Sequence, residues 1–174
     1  MRILQLAFVV ALVSNGRVIQ QPQAPPEEIP SPREWVAFSA DVRGQGPEGP
    51  YEGKFYRGAD GSTRKETGPR AGVIERIDIV NLTRGEQYSC RKTCATTPAQ
   101  PRPPVRMRKT SAMTKLDKPV EGLEAYLFES GTTSAVIPDL NFFHVELRTS
   151  MFSEKYSNIR VGKQPPELFE RPSQ

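Results

Sequence analysis

From Trp35 onward the chain alternates. Val36, Phe38, Ala40 and Val42 fall on one side of an extended segment, with Trp35, Ala37, Ser39 and Asp41 on the other. That period of two marks a half-buried strand. After a Gly/Pro connector at 44–50 the alternation resumes in residues 51–57. Gly58-Ala-Asp-Gly-Ser62 is an Asp-Gly hairpin signal that leads into residues 63–66. Residues 73–82 are rich in β-branched side chains, and Arg84-Gly85 provides a turn before the strand 86–90. Further strands are expected at 122–129, 132–137, 141–148 and 152–161, with a short edge strand at 105–109. In 141–148, Phe143, Val145 and Leu147 oppose Phe142, His144, Glu146 and Arg148. The pattern predicts an all-β, or β-dominated α+β, domain over residues 34–174. Its architecture would be a single strongly curved antiparallel sheet, a half-barrel of about eight or nine short strands. A helical turn is expected only near Pro165 to Leu168.

Composition agrees with that reading. The chain has 174 residues, of which 17 are Pro and 13 Gly, and both break helix interiors. One domain with one core fits this length. A single His and two Cys exclude most multi-ligand metal sites, so no metal or cofactor is expected. Motifs for a nucleophilic serine, a phosphate-cradling loop or a zinc protease are absent. His144 and Glu146 share one side of a strand, but no third partner can be named for a metal or acid–base site.

The first residues address the compartment. Met1-Arg2 precedes an apolar run at 3–13, and Ser14-Asn-Gly16 follows. A positive start, a short apolar stretch and a small-residue exit form a secretory signal at 1–16, with cleavage expected after Gly16. Residues 17–33 carry five prolines and little to bury, so an extended linker is expected there. The protein should then be periplasmic or secreted.

Export changes how Cys90 and Cys94 read. A close pair in an oxidising compartment usually forms a disulfide. In an extended strand their Cα atoms would be ~13 Å apart, beyond the bond's limit near 7 Å. A Cys90–Cys94 bridge therefore requires residues 91–93 to turn. The basic, proline-rich stretch at about 91–119 begins at the same place. Arg91, Lys92, Arg102, Arg106, Arg108, Lys109, Lys115 and Lys118 face Asp117 alone. Arg102, Arg106, Arg108 and Lys109 offer a contact for an anionic envelope surface, and a solvated loop is the plainer alternative. No nucleic-acid partner is expected, since these residues lack interleaved aromatics. Asn81-Leu-Thr83 is formally a glycosylation acceptor.

The C-terminal segment 152–172, ending Gln-Pro-Pro-Glu-Leu-Phe-Glu-Arg-Pro, resembles the closing strand and tail of the periplasmic lipoprotein carriers (the LolA-like superfamily) and their exported relatives. Phe55-Tyr-Arg-Gly-Ala-Asp-Gly-Ser-Thr-Arg-Lys-Glu66 is similar to their early hairpin, and Val120-Glu-Gly-Leu-Glu-Ala-Tyr126 to a mid-chain strand. The resemblance implies the curved sheet, with lipid or lipoprotein handling as its functional consequence. Two expectations follow. In the first, a non-enzymatic exported protein binds an apolar ligand, such as an acyl chain, on a concave face lined by Val36, Phe38, Val42, Leu123, Leu127, Phe143, Val145 and Leu147. Leu168 and Phe169 would then act as a lid. In the second, a structural or interaction protein of the envelope uses the basic loop as its contact surface.

Overall fold

The computed structural model describes residues 27–129 and 131–172. The proposed signal at 1–16 and the first part of the linker lie outside them. Among the described residues eleven strands form one antiparallel sheet: β1 (Phe38–Gly46), β2 (Gly49–Arg57), β3 (Thr63–Gly68), β4 (Arg76–Asn81), β5 (Glu86–Cys90), β6 (Cys94–Pro98), β7 (Met113–Lys115), β8 (Tyr126–Glu129), β9 (Thr133–Ile137), β10 (Phe143–Arg148) and β11 (Ser153–Val161). Their spatial order is β6-β5-β4-β3-β2-β1-β11-β10-β9-β8-β7. Two meanders thus run outward from a central β1–β11 pair. The sheet is open, with β6 and β7 as its edges. The prolines of the 99–112 connection between them supply no N–H for closing the gap.

Two strands exceed the sequence expectation. β6 runs straight on from the Cys90–Cys94 turn, and β7 lies inside the basic loop. By contrast, 105–109 adds no sheet strand and makes one isolated bridge, Glu28 opposite Arg108. The 44–50 connector is largely strand, with β1 and β2 paired as far as Gly46 opposite Gly49. β8 begins at Tyr126 rather than at 122, because Glu121 and Gly122 adopt positive φ of 52° and 78° and turn the chain. The 58–62 hairpin forms as expected, closed by Gly58 N–H to Ser62 O at 2.8 Å. Among the described residues two short 3-10 turns occur, at Pro138–Leu140 and Pro166–Phe169. The second stands where a helical turn was expected.

The Cys90–Cys94 disulfide is present, joining residues directly opposite each other on β5 and β6 with Cα atoms 4.0 Å apart. The turn at 91–93, held by Arg91 N–H to Thr93 O at 3.1 Å, brings them together. Closing so short a loop contributes at most ~2 kcal/mol in the chain-entropy picture.

Three apolar clusters hold the sheet. The largest joins Phe38, Ala40, Val42, Phe55, Ala125, Ala135, Ile137, Leu140, Val145 and Tyr156. Phe55, Phe143 and Tyr156 meet with ring centres 4.8–5.6 Å apart, in edge-to-face and stacked geometries that favour aromatic pairs. A second cluster surrounds Ile29, and a third gathers Ile79, Tyr88, Cys90 and Phe169. Arg57 plugs the end of the first. Its guanidinium donates to Val36 O at 3.0 Å and Leu140 O at 2.5 Å and lies over the Trp35, Phe38 and Phe143 rings. Burial without a carboxylate partner pushes its pKa down to about 10. The charge persists at neutral pH because carbonyl oxygens and ring faces replace water.

Candidate functional site

Directly opposite residues in an antiparallel pair share a face, so the face of the apolar row can be followed across the sheet. Ala40 faces Phe55, Phe55 faces Lys65, Lys65 faces Asp78, Asp78 faces Ser89 and Ser89 faces Ala95. The face is apolar over β1 and β2 and becomes polar from β3 outward. An open cleft of about 1160 Å³ lies there. The β1–β2 turn, the 67–76 connection, the 91–93 turn and the start of β11 form its rim.

Glu154 is the hub of the cleft floor. Tyr51 Oη–H and Lys65 Nζ–H both donate to its Oε1, and Tyr156 Oη–H donates to Oε2 at 2.8 Å. Burial raises the carboxyl pKa, but the Lys65 ammonium and the Tyr51 and Tyr156 hydroxyls outweigh that effect and hold it below the usual carboxylate range. Burial first, and the Glu154 charge after it, push both phenols above their ordinary value. At neutral pH the site is therefore a carboxylate among protonated phenols. Tyr51 reaches this position because residue 44 is glycine: a Cβ there would stand 2.3 Å from the ring Cζ.

Toward solvent the cleft carries both charges. Arg91 pairs with Glu48 at 2.7 Å, and Arg76 pairs with Asp78 at 2.7 Å. Lys92 and Glu75 also line it and make no ion pair among the described residues. Pro47, Pro50, Pro69, Ile74 and Phe152 add apolar patches between the charges. Exposed ion pairs contribute only ~0–1 kcal/mol each. A ligand charge can thus replace one partner at small cost.

The sequence-expected residues separate into groups. Phe38, Val42 and Val145 belong to the largest cluster, with Val36, Leu123 and Phe143 packed against it. They meet as core, filled by one another. Leu147 lies outside that cluster and stays half-buried. It opposes Glu154 of β11, beside the cleft floor, while a bulge between His144 and Glu146 shifts the β9 register so that Phe143 opposes Ile137 and Leu147 opposes Ser134. Leu127 pairs with Ala135 next to the edge strand and stays half-buried. Leu123 lies in the turn before β8, bridged to Val120.

The expected lid is a correction. Phe169 and Leu168 pack with Ile79, Tyr88 and Tyr56, on the face opposite Phe38. Phe169 lies against Gly58, where a Cβ would meet its ring at 3.1 Å. Arg64 Nη1–H donates to Leu168 O at 3.0 Å, and Asn81 Nδ2–H donates to Phe169 O at 3.0 Å. The tail is thus the second layer of a different core. Asn81 is buried in holding it, so its amide is not presented for glycosylation.

The basic loop is also partly engaged. Arg106 pairs with Glu28 at 2.5 Å and Lys109 with Glu27 at 3.6 Å, so residues 27–33 are docked rather than a free linker. Arg102 and Arg108 make no ion pair among the described residues. His144 is exposed, Glu146 pairs with Arg148 at 3.8 Å, and no cluster of three metal-ligating side chains occurs among the described residues. The cleft residues escaped the sequence reading. Its only signal there was the polar set Lys65, Thr67, Arg76 and Asp78 on alternating positions, which reads as ordinary solvent-facing sheet. Comparison with known proteins gives no match, either to a family model or to a characterised sequence.

Proposed function

We propose that the chain is an exported, non-enzymatic binding protein of the cell envelope, working through its surface cleft rather than through an internal lipid cavity. One observation carries this reading. The apolar row is filled by its own side chains, Phe38, Val42 and Val145 each being at most 1% exposed, whereas the cleft is open. Admitting an acyl chain to the row would require the Phe55–Phe143–Tyr156 aromatic contacts to part. The ligand that fits the cleft is a peptide segment bearing both charges, its basic groups toward Glu48, Glu75 and Asp78 and its acidic groups toward Arg76, Arg91 and Lys92. Glu154 serves as the ledge beneath it. A carboxylate engaged by three donors and held ionised suits positioning better than proton transfer. The disulfide and the lack of a helix long and apolar enough to cross a membrane among the described residues are compatible with export. Kinship with the lipoprotein carriers is part of the proposal only through the open antiparallel sheet.

Fluorescence anisotropy with labelled peptides of mixed, all-acidic and all-basic charge tests it. Mixed-charge peptides should bind saturably, and Lys92→Glu with Glu75→Lys should weaken them roughly tenfold, the sum of two exposed charge contacts. Mass spectrometry of the purified protein beside a blank purification provides the opposing arm. Stoichiometric phospholipid or lipoprotein there, with no peptide binding, would return the apolar-ligand reading to first place.

A further inference from the structure

β11 changes its facing partway along its length. Tyr156 opposes Val42 and is buried with it in the largest cluster, so strict alternation would send Asn158 and Arg160 to that same side. A bulge in β11, opposite Ser39 to Asp41, prevents this: Asp41 opposes Ser157, whereas Ser39 opposes Arg160. Asn158 takes up the extra residue in a left-handed conformation, φ 52°, which asparagine tolerates better than most side chains. Ile159 thereby packs against the core, and Arg160 comes to the other face beside Ser39.

Two rows meet on that face. Tyr56, Ser39 and Arg160 lie directly across β2, β1 and β11, and Lys54 lies across from Asp41 in the next row. Ser39 is small between two long side chains, and a half-open cavity of about 200 Å³ results, lined by these residues and Asn158. The second row is closed on itself. Lys54 Nζ–H donates to Asp41 Oδ1, and Asn158 Nδ2–H donates to Asp41 Oδ2 at 2.7 Å. Those two donors hold the Asp41 carboxyl below the usual carboxylate range. On β3, Arg64 and Glu66 stand opposite Tyr56 and Lys54 and pair with each other at 2.6 Å. The first row is uncommitted: the Tyr56 and Ser39 hydroxyls and the Arg160 guanidinium donate to no other group among the described residues. Burial pushes the Tyr56 phenol up, so it stays a donor at neutral pH. The cavity thus presents three free donors and, with Lys54 and Asp41 cancelling, the uncompensated charge of Arg160.

We propose that this cavity binds a small organic acid, whose carboxylate accepts from the Arg160 guanidinium and from the Tyr56 and Ser39 hydroxyls. A planar guanidinium meets a carboxylate with two parallel hydrogen bonds, and the hydroxyls supply donors from the neighbouring strands. One negative charge fits better than two, because Asp41 lines the same cavity and repels a dianion. The volume admits a few heavy atoms beyond the carboxylate and no long chain. Asn158 acts as a positioning residue, since its conformation turns Arg160 to this face. The proposal is independent of the Glu154 cleft, which opens on the opposite face.

Propionate is the probe. It is titrated into the full chain at constant ionic strength and followed by amide NMR shifts, with an unchanged spectrum away from the cavity showing that each variant folds. Binding should saturate, with the largest shifts at Ser39, Asp41 and Arg160 and at the Arg160 Nε–H. Arg160→Gln should weaken it about tenfold, the loss of a charge-assisted hydrogen bond, and Tyr56→Phe about threefold. Arg102→Gln, the same change of net charge on the basic loop, should leave it unaltered. Inorganic phosphate and an acetylated tripeptide with a free carboxyl terminus should both bind more weakly than propionate. Tighter, Arg160-dependent binding of either would overturn the small-acid assignment in favour of a dianion or a chain terminus. Propionate shifts that grow without saturating, or that saturate equally in Arg160→Gln, overturn the site itself.

Discussion

The central strands and the outer β3–β6 wing belong to one continuous sheet, yet they bury opposite faces. Over β1, β2, β9, β10 and β11 the buried row contains Phe38, Val42, Phe55 and Val145. Over β4 and β5 the residues in register with that row are Asp78 and Ser89, and the buried ones are their neighbours Ile79, Tyr88 and Cys90. The centre packs aromatic on aromatic, Phe38 and Phe55 of β1 and β2 meeting Phe143 and Tyr156 of β10 and β11. The wing relies on a separate cover, the Pro166–Phe169 turn, held through backbone oxygens by Arg64 and Asn81. Alternation lets a sheet change its buried side from strand to strand without any irregularity, provided a covering segment lies on each side. The polar side left open by the wing becomes the cleft.

The largest expected effect should come from the centre. Phe38→Ala removes a side chain that is 0% exposed, touching Phe55, Phe143 and Arg57. Urea denaturation should show a loss of ~3–5 kcal/mol, as for buried Phe sites that cannot collapse. A loss under 1 kcal/mol would mean that the centre is not the main core.

Leu168→Ser with Phe169→Ser probes the wing alone. A loss of ~2–3 kcal/mol is expected, below the full Phe range because the tail can yield outward. A hydrophobic dye should bind the variant more strongly as Ile79 and Tyr88 become uncovered, while the far-ultraviolet β signal persists. Unchanged dye binding would show that something other than the tail covers this face.

The smallest effect belongs to the seam where the face turns polar. The Glu154 carboxyl titrates below its ordinary range in the folded protein, so its stabilisation is complete above the unfolded carboxyl pKa and is lost as pH falls through the lower folded value. Glu154→Gln should cost ~1 kcal/mol at neutral pH by leaving Lys65 without its partner. Below pH ~4, the variant's stability should fall less steeply than the parent's. Parallel curves through that window would remove Glu154 from its place as the ionised hub.

How far these regions can be read from the sequence differs for the same reason. The strand at Phe38–Val42 is legible because its alternation is strong and its face is buried along its whole length. At 76–90 the β-branched run is equally visible, but which of its two faces is buried depends on where the tail arrives. The 141–148 alternation does not reveal the bulge after His144, which shifts the β9 partner of Leu147 to Ser134, and Leu147 stays half-buried outside the core cluster. The cleft's Lys65, Asp78 and Glu154 are ordinary polar residues until three strands bring them to one floor.

The sequence by itself determined the all-β class, the antiparallel succession of short strands, the 58–62 hairpin and the Cys90–Cys94 bridge. Each rests on residues close along the chain: periodicity, turn chemistry, and a spacing that forces residues 91–93 to turn. Only the tertiary structure decided that the central pair is β1 with β11, that the tail covers the far face, and that Glu27 and Glu28 neutralise part of the basic loop. Those outcomes join segments about 80 to 120 residues apart. Local propensity is silent there, and burial, register and charge pairing between distant segments make the choice.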